Sequence, residues 1–312
     1  MNEEFLWVEK YRPKTIEETI LPVDLKATFQ QFVDQKNIPN LILSGTAGVG
    51  KTTVARAMLE QLGCDYIVIN GSMNGNIDTL RNEILNFASS VSLSGGRKYV
   101  ILDEADYLNA NSTQPALRNF MEEFSRNCGF ILTCNFKNRI IEPLHSRCSV
   151  VEFKISKKDM AKLAMLFLKR VENILTNEHI EYDKAAVAQI IQNYFPDWRR
   201  VLNELQRYSA TGKIDSGILA NLQQSNIREV VNLMKVKNFT EIRKWVKNNI
   251  DTDVNVLYND FYETAADYFK PNCIPMLVLL IAKYQYQNSF AANPEINFVA
   301  FLVEVMVEME FI

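Results

Sequence analysis

The sequence has no long apolar run, no excess of one charge and no cysteine pairing pattern. Its longest apolar stretch, Met276–Ala282, is far too short to span a bilayer, so no membrane partner is expected. Lys and Arg number 34 against 37 Asp and Glu, a net charge of −3. That balance argues against a uniformly basic nucleic-acid binder and leaves room for a local basic surface. The five cysteines, Cys64, Cys128, Cys134, Cys148 and Cys273, form no CxxC pair and no metal-ligand spacing. They read as reduced, mostly buried thiols of a cytoplasmic protein. The start, MNEEFLWVEK, has neither the basic residues nor the apolar stretch of a secretion signal. No internal repeat or low-complexity segment is found, and 312 residues suffice for two or three domains.

What is present centres on Leu41 to Thr53, LILSGTAGVGKTT. Leu41, Ile42 and Leu43 read as a strand buried on both faces, and Lys51, Thr52 and Thr53 open a helix. Between them Gly45, Thr46, Ala47, Gly48, Val49 and Gly50 make a glycine-rich turn that matches GxxxxGK[ST]. Such a turn points successive amide hydrogens inward, and the helix dipole adds to their pull on phosphate. Lys51 is placed to reach the β and γ phosphates, and the Thr52 hydroxyl to hold a magnesium ion. ATP and Mg2+ are therefore the expected ligands.

A second apolar strand, Tyr99 to Leu102, delivers Asp103 and Glu104 at its carboxyl end, where open α/β sheets bind ligands. Asp103 would hold the metal through water and Glu104 would polarise the attacking water; an acidic pair that merely caps the following turn is the alternative, and the phosphate loop upstream favours catalysis. A third strand, Gly129 to Thr133, runs out into Cys134 and Asn135. Asn135 is a candidate for the γ phosphate or the same water, or simply a turn residue. The aromatic lead containing Val8, Tyr11, Arg12 and Pro13 is either an arm over the sheet or an adenine pocket above the phosphate loop. Asp24 is available to cap a helix reaching Asn37, and Arg81 lies on the outward face of the helix that carries Leu80, Ile84 and Phe87. After a last strand, Val150 to Phe153, composition turns helical. Ser156 caps a long amphipathic helix, and two more follow, Asp183 to Asn193 and Asp197 to Ser209. The remainder is helical and apolar, with Phe298, Phe301, Leu302, Val305, Met306 and Met309 needing burial. It is either an ordinary helical domain or a collar that packs against its own copies, and we favour the collar.

In order, WVEKYRP, GTAGVGKTT, DEAD, TCN, SRC and DWRR resemble the sliding-clamp-loader ATPase subunits of the AAA+ superfamily. The likeness is greatest to the large subunit of T-even bacteriophage clamp loaders, followed by the replication factor C small-subunit type. GNIDTLRNEI and NANSTQPALRNFME extend it. The implied fold is an α/β parallel sheet with flanking helices, residues 1–155, then a helical lid, 156–227, and an all-α collar, 228–312. The resemblance favours the adenine-pocket reading of the lead. It casts Asn135 as sensor 1, Arg199 as the lid's γ-phosphate contact, and Arg147 as a finger reaching a neighbour's nucleotide. Pro196 stands where the family has glycine, a departure that bears on lid geometry. The implied partners are a sliding clamp, primer-template DNA, identical subunits in a ring and a non-ATPase loader subunit. Arg81, Ser112, Thr113 and the amino ends of their helices become candidates for DNA phosphate contacts. Another AAA+ DNA motor, such as a branch-migration ATPase, is the alternative.

Overall fold

A computed structural model describes residues 5–73, 77–90, 96–210, 212–215, 227–249, 254–288 and 290–312. The chain forms two compact units, Met1–Ile218 and Leu219–Ile312.

The first unit is built on five parallel strands: β1 (Leu41–Ser44), β2 (Tyr66–Asn70), β3 (Lys98–Asp103), β4 (Cys128–Cys134) and β5 (Ser149–Glu152). Their spatial order is β2-β3-β4-β1-β5. Side chains alternate across this sheet, so its apolar runs feed two cores. Ile42, Val100, Leu102, Phe130 and Leu132 pack on one face, while Leu41, Leu43, Ile101 and Ile131 pack on the other. Fully burying each such side chain contributes roughly 1.5–3 kcal/mol. An alternating strand would have left half of that unused.

Helices α1 (Trp7–Lys10) and α2 (Val23–Asp34) precede β1, and α3 (Lys51–Leu62), α4 (Ile77–Ser89), α5 (Thr113–Glu123) and α6 (Glu142–His145) join successive strands. Asp24 is not the cap expected of it. Pro22 precedes α2 as its N-cap without a side-chain bond, which puts Asp24 inside the first turn. The polar loop after β2 lies partly outside the described residues, at 74–76. The lid helices are α7 (Lys157–Asn177), α8 (Lys184–Tyr194) and α9 (Trp198–Ser209). Each starts on a side-chain cap: Ser156 accepts from the Asp159 amide, Asp183 from Ala185 and Asp197 from Arg200. A two-stranded parallel ribbon, Glu181–Tyr182 with Lys213–Ile214, also ties this region together, a pairing too short to read in a single sequence.

The second unit contains helices Ile227–Lys235, Phe239–Asn249, Val254–Glu263, Ala265–Tyr268, Ile274–Asn288 and Pro294–Glu308. Its centre is aromatic: Tyr258 meets Phe298 and Phe301 edge-on, with ring centroids 5.1 and 5.0 Å away. Phe298, Phe301, Leu302, Val305 and Met309 are buried within this unit, and Met306 packs partly against it. The apolar stripe expected to call for outside partners is thus covered by its own helices. Leu279, Tyr286, Phe290 and Val307 are exposed instead. Among the described residues, no helix is long and apolar enough to cross a membrane.

Candidate functional site

The turn after β1 needs its glycines for two separate reasons. Gly48 and Gly50 have φ of +72° and +95°, a left-handed backbone that other residues adopt at a cost. A Cβ on Gly48 would also fall 1.7 Å from Asp197 Oδ1. The Gly48 carbonyl accepts from the Trp198 amide at 3.2 Å, so the lid helix α9 rests directly on the phosphate loop. Pro196 leaves that docking in place, with Asp197 Oδ1 accepting from the Arg200 amide at 2.9 Å.

Lys51 is buried, and its ammonium donates to the carbonyls of Gly45 and Thr46, each at 2.7 Å, and to Asn135 Oδ1 at 2.9 Å. Burial pulls its pKa below the ordinary lysine value. At the neighbouring strand end, Asp103 Oδ1 accepts from Thr52 Oγ1 at 2.6 Å and Thr133 Oγ1 at 2.5 Å. Two hard oxygen donors side by side suit magnesium, which takes few protein ligands and leaves room for phosphate and water. Among the described residues, no cluster of three or more His, Cys, Asp or Glu could form an all-protein metal cage. Glu104 follows in a left-handed conformation, φ +56°, with its amide donating to Thr133 Oγ1 at 3.1 Å. Asp106, two residues on, is buried and accepts from the amides of Asn135 and Phe136 at 3.2 Å each. Thr133 and Asp106 were not picked out from sequence, although both sit inside the quoted TCN and DEAD strings.

One cavity brings Val8, Tyr11, Arg12 and Pro13 together with Gly48 to Thr53 and with Arg199. Arg12 donates to Thr53 Oγ1 at 3.2 Å and to Glu9 at 3.0 Å, and this arginine holds the Glu9 carboxyl below its usual range. The lead is stitched to the lid. Arg170 of α7 donates to the Tyr11 and Glu18 carbonyls at 2.7 and 2.8 Å, the Tyr11 hydroxyl donates to Glu178 at 2.5 Å, and Gln206 of α9 accepts from the Trp7 amide at 3.0 Å. Arg170 is buried enough that desolvation lowers its pKa. Arg199 lines this cavity, whereas Arg200 lies over the Tyr194 ring, 4.5 Å from its centroid.

Arg147 is elsewhere. It lies outside the residues that line the cavity and donates through Nε to Glu122 Oε1 at 2.9 Å, with Nη2 on the same oxygen. Its Nη1 donates to the Pro143 carbonyl at 2.8 Å. Its carboxylate partner, Glu122, is 25 positions away in the chain.

The DNA-contact candidates divide. Arg81 and Ser112 are exposed. Thr113 is fully buried, and its Oγ1 has no hydrogen-bond partner. The amino end of α5 is also occupied from within. Asn109 accepts from the Asn111 and Ser112 amides through its side chain and from Thr113 and Gln114 through its carbonyl. Thr113 is therefore withdrawn as a phosphate contact, since packing turns its hydroxyl inward and Asn109 takes its amide. All five cysteines are free. Burial pushes the Cys148 thiol, next to Arg147, up to about 12.

Comparison with known proteins fits this arrangement. Residues 41–156 match the model of the ATPase family associated with various cellular activities, and residues 157–220 match that of the sliding-clamp-loader large subunit AAA+ ATPase lid domain. The chain is 38% identical to the sliding-clamp-loader large subunit of Escherichia phage RB69, over 78% of this chain and 77% of that one. It is 32% identical to that of Enterobacteria phage T4, over 99% and 98% of the two chains. A replication factor C small subunit of Saccharolobus solfataricus is 36% identical over 77% and 74%. Among solved structures, a point mutant of Thermotoga maritima RuvB gives a TM-score of 0.54 at 18% identity, over 72% of this chain and 79% of that one. That last likeness concerns the fold alone.

Proposed function

This chain belongs to the sliding-clamp-loader large-subunit family of AAA+ ATPases, and from that premise we propose how its residues carry out an ATP-driven loading cycle. ATP binds in the cavity between lead, phosphate loop and lid, with the adenine beside Val8, Tyr11, Arg12 and Pro13. The amides of Gly45 to Thr53 surround the phosphates, and the Lys51 ammonium exchanges its carbonyl partners for phosphate oxygens. A magnesium ion, held by Thr52 and through water by Asp103, would neutralise charge on the β and γ phosphates. Glu104 orients and polarises the attacking water, while Asn135 and Arg199 contact the γ phosphate.

Arg147 acts on a neighbour. An arginine supplied by the next subunit stabilises charge developing on the transferred phosphoryl group, which makes activity depend on a ring of identical subunits. The observation that carries this reading is the division of cations. Lys51 meets Asn135, beside Asp103 and Glu104, while Arg147 stands at the surface away from its own cavity. In this cycle ATP binding assembles the subunits, opens the clamp and engages primer-template DNA, and hydrolysis releases the closed clamp. Arg81 and Ser112 face the DNA backbone. Residues 1–155 serve as the nucleotide-binding domain, 156–227 as lid and 228–312 as collar. A non-ATPase subunit completes the loader, which works in the cytoplasm of the cell.

The test is ATP hydrolysis by the chain with its partner subunit, with and without primed DNA and the cognate clamp, using Glu104→Gln as control. The expected result is strong stimulation that needs both ligands and is lost in Glu104→Gln. Stimulation by DNA alone, indifferent to the clamp, would replace the loading cycle with that of a translocating motor.

A further inference from the structure

Thr133 lies near the end of β4, two residues before Asn135, and is almost completely buried, at 1% exposure. The parallel register pairs Leu102 with Leu132, so the next step along both strands sets Thr133 beside Asp103. Its hydroxyl has one proton and two lone pairs, and the neighbours settle how they are used. Asp103 Oδ1, 2.5 Å away, can only accept, so the proton goes there. The Glu104 amide, 3.1 Å away, can only donate, so it meets a lone pair. Thr52 Oγ1 donates to the same Asp103 oxygen at 2.6 Å. One hydroxyl thus touches the side chain of the metal-side aspartate and the peptide of the water-side glutamate.

That peptide needs a restraint. Glu104 has φ +56° and ψ 45°, a conformation that residues with a Cβ rarely adopt and that persists only where the surroundings hold it. We propose that Thr133 is a positioning residue for hydrolysis: its hydroxyl fixes the left-handed peptide of Glu104 and so sets the aim of the Glu104 carboxylate. The crosslink runs in both directions, because Asp106, from the β3 side, accepts from the Asn135 and Phe136 amides at the end of β4. Water orientation and γ-phosphate contact then move as one body, the condition under which a small displacement costs much rate and little binding.

This inference rests on the reading of Glu104 given above, and the experiment separates the two. Thr133→Val, Thr133→Ser and Glu104→Gln are compared in the complete loader with primed DNA and clamp, measuring kcat, the ATP KM and nucleotide affinity. Thr133→Val keeps the shape and deletes the hydroxyl. It should lower kcat about tenfold with KM within about twofold of wild type, and Thr133→Ser should recover most of the rate. Glu104→Gln should abolish turnover while binding nucleotide. Full turnover in Glu104→Gln would overturn the reading of Glu104 and this inference with it. A dead Glu104→Gln beside a Thr133→Val with wild-type kcat would overturn the inference alone. Parallel loss of affinity and rate in Thr133→Val, or no recovery in Thr133→Ser, would reduce Thr133 to a packing role and also overturn it. If Thr133→Val does not fold, Thr133→Ala carries the same comparison.

Discussion

Lys51 and Arg147 are two cations proposed for the same phosphoryl group, and their surroundings differ in kind. Lys51 is 8% exposed and bonded to neutral acceptors, the Gly45 and Thr46 carbonyls and the Asn135 side chain. Among the described residues no carboxylate is bonded to it; desolvation outweighs the pull of the nearby Asp103 and Asp106 and lowers its pKa. Arg147 is a third exposed and paired with a carboxylate, Glu122, that is itself half exposed. A buried cation facing dipoles gains strongly when phosphate arrives, because phosphate supplies the missing charge where water screens least. A surface cation already holding a carboxylate gains less, and it can let go cheaply because solvent screens the pair. One arrangement suits a ligand that must stay; the other suits a contact made and broken with each neighbour.

The sharpest way to break this contrast is Arg147→Ala. The expected outcome is loss of stimulated hydrolysis by about a thousandfold in the assembled loader, with ATP binding to the isolated chain unchanged. Retained hydrolysis would make Arg147 an ordinary surface residue. Lys51→Ala comes next: nucleotide affinity of the isolated chain should fall on the order of a hundredfold, read by titration with a fluorescent ATP analogue. An equal loss of affinity in both variants would erase the distinction between the two sites.

The smallest effect should come from Glu122→Gln, which leaves Arg147 without its carboxylate. The assembled loader should then hydrolyse ATP about two- to fivefold faster at low subunit concentration, where assembly limits the rate. Arg147 holds the Glu122 carboxyl below its usual range. A depressed carboxylate pKa keeps the pair intact at neutral pH and loses it only as pH falls through that lowered value. The Glu122→Gln effect should therefore be constant from about pH 6 to 8; a strong pH dependence there would point to another group.

Legibility followed sequence distance. Gly45 to Thr53 could be read because its parts touch within one turn, and Asp103 and Glu104 because an apolar strand announces its own end. Asn135 was legible for the same reason. Glu122 was not, since the partner it makes for Arg147 depends on how α5 lies beside the segment after α6. Thr113 was misjudged as a phosphate contact because a helix's first residue can face either way, and only the packing of α5 decides. Asp24 missed its expected cap, because Pro22 opens the helix with a fixed backbone rather than a side chain.

What the sequence determined by itself was local: a glycine-rich turn between a strand and a helix, strands apolar enough to be buried on both faces, and acids and an asparagine released at their carboxyl ends. The tertiary structure decided which of those ends became neighbours. Parallel strands are joined by crossovers of many residues, so Thr133 lies beside Asp103 and Asp106 beside Asn135 only once the sheet has its order and register. The same holds for the lid, whose Asp197 and Trp198 reach Gly48 across 149 and 150 positions of chain because α9 packs down on a turn that has no Cβ to keep it away.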